Sequence, residues 1–289
     1  MMKPEISIGL TFYNNADTIR DALRSIFAQS FKNWELIVID DNSVDKSFEI
    51  VQSVKDPRVR VYREDRRKGF VNALNQMTSM ARGEYYARMD ADDMMHPERL
   101  SKQIEYLKIN PDMDVVDTAM YSMDQYCRVK GIRGIDPLSI KPENALKAGL
   151  LHHATTMGRT EWFRKNPYNP AYIRAEDCEL WCRTYQTSRF DRLKEPLYFV
   201  REGRVNINNY LLSCKTVRKI IKTYGPLRIG KFRTAQLMAG SFFKCFAYRV
   251  SSSVNSHEFL VDLRNRKLSN KEKAHADNII KQILSVPIP

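Results

Sequence analysis

The sequence has no uninterrupted apolar run of the roughly 18 residues a membrane-crossing helix needs, so no transmembrane helix is expected. Cysteine is scarce: Cys127, Cys178, Cys182, Cys214 and Cys245 are odd in number and scattered. Cys178 and Cys182 stand four apart, a helical spacing rather than a CxxC knuckle, so neither a zinc site nor a disulfide framework is expected. Glycine is also sparse, and neither GxGxxG nor a P-loop occurs, which removes the common dinucleotide and NTPase phosphate cradles. No Ser/His/Asp or Cys/His nucleophile motif is present. The opening Met1-Met2-Lys3-Pro4-Glu5 runs straight into a strand-like segment with no signal-peptide apolar region, so a cytoplasmic protein is expected. Internal repeats and low-complexity tracts are absent.

Acidic residues are missing from one whole stretch. Between Gly203 and His257 there are ten Lys/Arg and no Asp or Glu, a net of +10. The preceding 202 residues carry a net of only +1, and the segment from Glu258 to the end +2, within a total of +13. The basicity therefore belongs to one late segment, which invites an anionic partner. The whole chain of 289 residues is 43% hydrophobic and 28% charged, enough for a real core and too apolar for a disordered chain.

Hydrophobic patterning predicts strands over 5–12, 35–40, 59–62 and 84–89, alternating with helices over 17–29, 45–54, 70–81 and from Pro97 to about Asn110. In the first helix Ile19, Ala22, Leu23, Ile26 and Phe27 recur at i, i+3, i+4, i+7 and i+8, with Asn15 or Asp17 as candidate caps. Gly83 is placed to end the third helix. Four βα alternations in about 110 residues argue for a mostly parallel central sheet flanked by helices. In such sheets ligands bind beyond the carboxyl ends of the strands. Three polar clusters fall there: Thr11-Phe12-Tyr13, Asp40-Asp41-Asn42-Ser43 and Asp90-Ala91-Asp92-Asp93. Further strands are expected near 114–117 and 155–160, and a helix from about Glu176.

Three carboxylates within four residues would repel one another and raise each other's pKa. A divalent cation resolves the conflict, and Mg²⁺ or Mn²⁺ prefers such oxygens while sharing its other positions with substrate phosphates. Helix capping by Asp93 accounts for one of the three. The Asp40–Ser43 cluster alone reads as a turn. Beside a metal site it reads as a nucleotide-recognition loop.

Together these residues resemble glycosyl transferase family 2, of the GT-A fold. Ile6 to Asn14 is similar to the family's opening strand. Gln29 to Ser43 resembles the "Q…WELIVVDDGS" block, with Asn42 in place of the usual Gly. Gly83 to Asp93 followed by Pro97-Glu98-Arg99-Leu100 resembles the DxD block, and Ala175 to Trp181 the "ED…LW" block. The likeness covers about residues 4–202. It implies a nucleotide-sugar-binding half over 1–110, an acceptor-binding half over 111–205 and a basic amphipathic helical tail over 206–289. It implies that Thr11, Tyr13, Asp41 and the Lys68-Gly69 region hold the nucleotide, that Asp90 contacts ribose or sugar, that Asp92 ligates the metal, and that Asp177, with Glu176 as its rival, is the general base. The implied reaction is inverting transfer of one sugar from a UDP-sugar to a glycan acceptor, lipid-linked as in many relatives, in bacterial surface-polysaccharide synthesis.

Other residues carry open readings. Trp181 suits either the core or a sugar-stacking platform. The His152-His153 pair resembles a "HPTVMFR" block, where His153 would touch diphosphate or acceptor unless it is structural. The QxxRW motif of processive members is not matched by Trp181-Cys182-Arg183, so single-sugar transfer is expected. Residues 211–250 read as two helical segments split at Gly225-Pro226, mixing Lys/Arg with Leu227, Phe232, Phe242, Phe243 and Phe246. That pattern suits an anionic membrane surface on the inner face of the cell membrane, or packing on the body. Two rival functions are a metal-dependent sugar nucleotidylyltransferase and a basic nucleic-acid-binding protein. The first needs a Gly-rich basic loop after strand one, where Phe12 to Ala16 stands instead. The second needs a basic cleft, where the sequence puts aspartates; no nucleic acid partner is expected.

Overall fold

A computed structural model describes residues 3–147, 150–202, 207–252 and 265–289. The first half alternates strand and helix: β1 (Ile6–Phe12), α1 (Ile19–Phe27), β2 (Trp34–Asp40), α2 (Ser47–Gln52), β3 (Val59–Arg63), α3 (Phe70–Met80) and β4 (Tyr85–Asp90). Then come β5 (Met94–Met95), α4 (Arg99–Ile109), β6 (Val115–Met123), β7 (Val129–Arg133), α5 (Pro142–Leu146) and β8 (Met157–Arg159). The chain continues through α6 (Thr160–Lys165), α7 (Glu176–Thr184), β9 (Phe190–Arg201), α8 (Ile207–Ser252) and α9 (Asn270–Ser285).

The strands form one sheet in the order β3-β2-β1-β4-β8-β6-β9-β5, with β7 on β6. β1 to β4 pair in parallel. β8 joins β4 and β6 antiparallel, and β9 runs parallel to β6. Every residue of β2 is buried because both faces of the sheet are covered. Leu36 and Val38 face the cluster containing α1, whereas Ile37 and Ile39 face the cluster of α3, α6 and α7. The spacing expected for α1 holds, with Ile19, Ala22, Leu23 and Ile26 all inward. Its N-cap is Thr18, however, and the Asn15 carboxamide is instead occupied in accepting from the Tyr13 amide at 3.1 Å.

Registry places the functional strand ends side by side. Thr11 stands opposite both Ile39 and Asp90, and Phe12 opposite Asp40. Gly9 lies where Tyr86 crosses the sheet: a Cβ there would sit 2.0 Å from the Tyr86 hydroxyl, so only glycine fits.

The C-terminal portion is helical, as expected, and is built of α8 and α9. Its last helix, α9, opens with a capping box between Ser269 and Glu272. It buries Ala276, Ile279, Ile280 and Ile283 against Met94, Tyr121, Ile132 and Phe199, and so belongs to the body. α8 is broken at Gly230 (φ 78°), not at Gly225-Pro226. Arg218 donates to Cys245 Sγ at 3.2 Å and lies over the Phe242 ring at 4.4 Å. Those residues would stand some 40 Å apart on a straight helix at about 1.5 Å rise per residue. The two arms therefore fold back on each other as a helical hairpin. Gly225 marks where they cross closely, with Thr234 against its backbone. The first arm buries Ile220 and Ile221 against Leu146, Tyr172, Ala175, Cys178 and Cys182. The expected boundary near 205, and residues 253–257 of the acid-free stretch, lie outside the described residues.

Candidate active site

Thr11, Tyr13, Asn15, Asp41, Arg67, Phe70, Asp90, Asp92 and Arg174 line one open cavity of about 300 Å³ at the carboxyl ends of β1, β2 and β4. Five loops build it. The first two are latched together: Asn14 donates its amide to Ser43 Oγ at 3.0 Å, and Val44 donates to Asn14 Oδ1 at 2.9 Å. Both Asn14 and Asn42 adopt left-handed φ (56° and 64°). Asn tolerates that region better than most residues, which explains how Asn42 occupies a place where the family block has Gly.

The two neighbouring aspartates divide their work. Asp40 is buried, caps the turn through the Ser43 amide at 2.8 Å and faces Arg63 at 3.2 Å. Asp41 accepts from the Lys68 amide at 2.7 Å and from the Gly69 amide, and still lines the cavity. Lys68 thus contributes its main chain; its ammonium pairs with Glu64 and is not in the lining. The neighbour Arg67 enters instead, 3.7 Å over the Tyr13 ring and 3.8 Å from Asp41.

The acidic cluster also divides. Asp90, Asp92 and Asp93 bring carboxylate oxygens within 4.8 Å of one another. Asp93 is structural: it accepts from the Arg201 amide at 2.7 Å and from the Tyr198 hydroxyl. Asp90 is ion-paired with buried Arg88. Asp92 opens onto the cavity mouth and, among the described residues, its carboxylate accepts no hydrogen bond from another residue. Partial desolvation first, then the Asp90 charge, push its pKa up to about 6. A hard divalent cation would relieve that conflict, so the donor set fits Mg²⁺ or Mn²⁺ with Asp92 as ligand and Asp90 beside it. Arg201 holds the loop from β9, donating from Nε to the Asp92 carbonyl at 2.8 Å.

A second group stands behind the first. His153, Glu176 and Asp177 also bring their polar atoms within 4.8 Å of one another. Glu176 is buried, and burial, then the Asp177 charge, raise its pKa to about 7. Burial raises Asp177 as well, while the Arg88 charge lowers it. His153 is held neutral by burial and by Arg88, and its Nε2 meets the Tyr168 hydroxyl at 2.8 Å. Arg88 therefore lies between the two acidic groups and moderates both. His152 points away, towards Thr118.

Of the two readings open for Trp181, the core one fits its burial, and its place at the acceptor does not. Trp181 is 1% exposed, stacked on Trp162 at 6.0 Å and edge-on to Phe190 at 5.5 Å. It is a core residue and cannot stack on an acceptor sugar. Arg67, Phe70, Arg88 and Arg174 are the residues that motif reading missed. Arg67 adjoins a residue that was singled out, and Arg174 precedes the ED pair by two, but neither position carries a spacing signal of its own.

Similarity to known proteins follows the same geometry. Residues 7–168 match the model of glycosyl transferase family 2. The chain is 34% identical to EpsE of Bacillus subtilis over 208 residues, covering 69% of this chain and 73% of EpsE. It is 28% identical over 252 residues to the Escherichia coli UDP-Glc:alpha-D-GlcNAc-diphosphoundecaprenol beta-1,3-glucosyltransferase WfaP, covering 84% of this chain and 97% of WfaP. Among solved structures, S. aureus TarS 1-349 in complex with UDP-GlcNAc superposes with a TM-score of 0.63 at 17% identity over 99% of this chain and 82% of that one. The mannosyltransferase PcManGT of Pyrobaculum calidifontis, in complex with GDP-Man and Mn²⁺, superposes with a TM-score of 0.58 at 14% identity over 99% and 88%. Both likenesses are likenesses of fold.

Proposed function

The chain belongs to glycosyl transferase family 2, and from that premise we propose that it is an inverting enzyme that moves one sugar from a UDP-sugar to a hydroxyl of a glycan acceptor. The observation that carries this reading is the shared cavity: Thr11, Tyr13, Asp41, Asp90 and Asp92 line it together, and Arg174 enters it from the loop leading to Glu176 and Asp177. The named substrates of WfaP and the UDP-GlcNAc complex of TarS support uridine as the base and a hexosyl or N-acetylhexosaminyl group as cargo. Asp41 would accept from the uracil N–H, and Tyr13, stiffened by Arg67, would pack on the base or ribose.

An acceptor hydroxyl is a poor nucleophile at neutral pH. Asp177 would take its proton as the oxygen attacks the anomeric carbon, with Glu176 as the neighbour that sets its field. The new C–O bond forms as the bond to the diphosphate oxygen breaks, and both electrons leave with UDP. Mn²⁺ or Mg²⁺, held by Asp92, would supply positive charge to that leaving group. A single displacement inverts the centre, so an α-linked donor gives a β-linked product. No enzyme-bound sugar is required.

The diphosphoundecaprenol acceptor in the WfaP name supports a lipid-linked acceptor and a place in surface-polysaccharide synthesis. The α8 hairpin supports a peripheral site on the inner face of the membrane. It carries no acidic residue, exposes Lys215, Lys219, Lys222, Lys231, Arg233 and Lys244, and leaves Leu227 93%, Phe232 77% and Phe243 74% exposed. Basic and aromatic side chains together suit an anionic lipid surface. Its first arm is anchored beside the base: Tyr224 donates to Glu179 Oε1 at 2.6 Å and Thr216 to the Ile173 carbonyl at 2.7 Å. Family membership disfavours both the nucleotidylyltransferase and the nucleic-acid-binding readings.

The test is a donor screen with Mn²⁺ and a polyprenyl-diphosphate-linked sugar, reading UDP release and the product's anomeric proton by NMR. A β-linked single-sugar product supports the proposal. An α-linked product would refute inversion by one displacement.

A further inference from the structure

The cavity lining holds five charged side chains: Asp41, Asp90, Asp92, Arg67 and Arg174. Three of them are already matched. Asp41 has Arg67 and two amides, Asp90 has Arg88, and Arg67 has Asp41 and the Tyr13 ring. Among the described residues, Asp92 and Arg174 have no ion-pair partner, and they are not paired with each other. An acid without a cation and a cation without an anion, in one cavity, describe a site for a cation and an anion bound together.

Arg174 is also held in place for a purpose that its own packing does not explain. Its φ is 69°, in the left-handed region that a long side chain adopts at a cost and that clusters at functional sites. The loop around it is fixed: Ala175 donates to the Tyr172 carbonyl at 3.3 Å, and Thr216 of the hairpin holds the Ile173 carbonyl. The Arg174 amide faces the Glu176 carboxylate and lowers its proton affinity. The backbone of Arg174 thus serves the base pair while its exposed side chain enters the donor cavity.

Resting on the reading of the site as a UDP-sugar cavity, we propose that Arg174 is a contact to the leaving diphosphate, neutralising charge that the metal at Asp92 does not. A guanidinium presents its donors as a planar fork that matches phosphate oxygens, and each such bond strengthens as the departing oxygen gains charge. The same contact ties the loop that carries Glu176 and Asp177 to the presence of donor. The ligand chemistry, a phosphate oxygen, could also belong to a lipid diphosphate acceptor, and binding of UDP without acceptor separates the two.

The experiment is calorimetric titration of UDP and of uridine, with Mn²⁺, into wild type, Arg174→Ala, Arg174→Lys and Arg174→Gly. Glycine adopts φ 69° freely, so Arg174→Gly keeps the loop while removing the charge. The expected result is UDP affinity about ten- to a hundredfold weaker in Arg174→Ala and Arg174→Gly, the size of a lost charge-assisted hydrogen bond, with partial rescue in Arg174→Lys. Uridine affinity should be equal in all four. Unchanged UDP affinity in Arg174→Gly, or equal loss for UDP and uridine, would overturn the assignment while leaving the UDP-sugar reading intact. Failure of wild type to bind UDP at all would instead remove the reading on which it rests.

Discussion

Arg88 and Asp90 stand two residues apart on β4, on the same face, and form an ion pair in which the guanidinium side is almost wholly buried. That pair occupies one oxygen of Asp90 and leaves Asp92 as the carboxylate free to take a cation. It also sets a positive charge between the acidic cluster and Glu176 with Asp177. The order of strength along the loop is therefore fixed by partners and not by sequence alone: Asp90 is paired, Asp92 open, Asp93 used up.

Asp92 and Asp93 should consequently fail in different ways. Asp92→Ala should abolish metal-dependent UDP binding with little change in melting temperature. Asp93→Ala removes the acceptor for the Arg201 amide and the Tyr198 hydroxyl. Leaving those buried donors unsatisfied costs about 1–3 kcal/mol, so the melting temperature should drop by several degrees. Thermal denaturation beside UDP titration separates the two, and equal effects would contradict the division.

Asp177→Asn should lower kcat by about a hundredfold or more, the usual contribution of a general base, while UDP affinity stays within a few-fold of wild type. Loss of UDP affinity instead would make Asp177 a donor-binding residue.

Glu176 makes a pH prediction. Its folded pKa, about 7, lies above its ordinary value of 4.5. A raised acid binds its proton more tightly when folded, so its contribution to stability is full below the unfolded pKa and is lost as pH rises through about 7. Glu176→Gln should therefore be more stable than wild type at pH 8–9, by up to roughly 3 kcal/mol, and the difference should shrink towards pH 5. Denaturant midpoints at the two pH values measure it. A difference that grows as pH falls would show the opposite sign of shift.

Trp181→Ala should act through the core. Deleting a buried indole costs about 3–5 kcal/mol, with Trp181→Phe much milder. Kinetics of the folded Trp181→Phe variant should show an unchanged acceptor KM. A large rise in KM would restore a role at the acceptor.

The strand ends and their carboxylates were legible because β1, β2 and β4 are buried on both faces and announce themselves as apolar runs. The polar residues that follow them had nowhere to go but the sheet's end. β9 was not legible: Lys194, Glu195 and Pro196 interrupt it, and the register with β6 slips between Leu193 and Pro196. The two-residue β5 is too short for any periodicity. Gly225-Pro226 looked like the break in α8 because both residues disfavour helices, yet Pro226 sits near the end of the first arm and the reversal falls at Gly230. Lys68 and Arg67 are neighbours with the same charge. Only the direction in which the loop turns, set by the grip of Asp41 on the Lys68 and Gly69 amides, decides which one reaches the cavity.

The hairpin offers its own test. Sedimentation with vesicles containing anionic lipid should carry wild type down, more weakly at high salt, and not with neutral lipid. A Leu227→Ser/Phe232→Ser/Phe243→Ser variant, altered at exposed positions, should stay in solution and still bind UDP. Equal pelleting of both would deny the hairpin a membrane role.

The most direct measurement of the central claim is titration of the purified protein with UDP in Mn²⁺, repeated with EDTA, with GDP and CDP as controls. The account predicts binding that is selective for UDP, dependent on the metal and lost in Asp92→Ala. Indifference to the metal, or equal affinity for all three nucleotides, would contradict the roles given to Asp92 and Asp41.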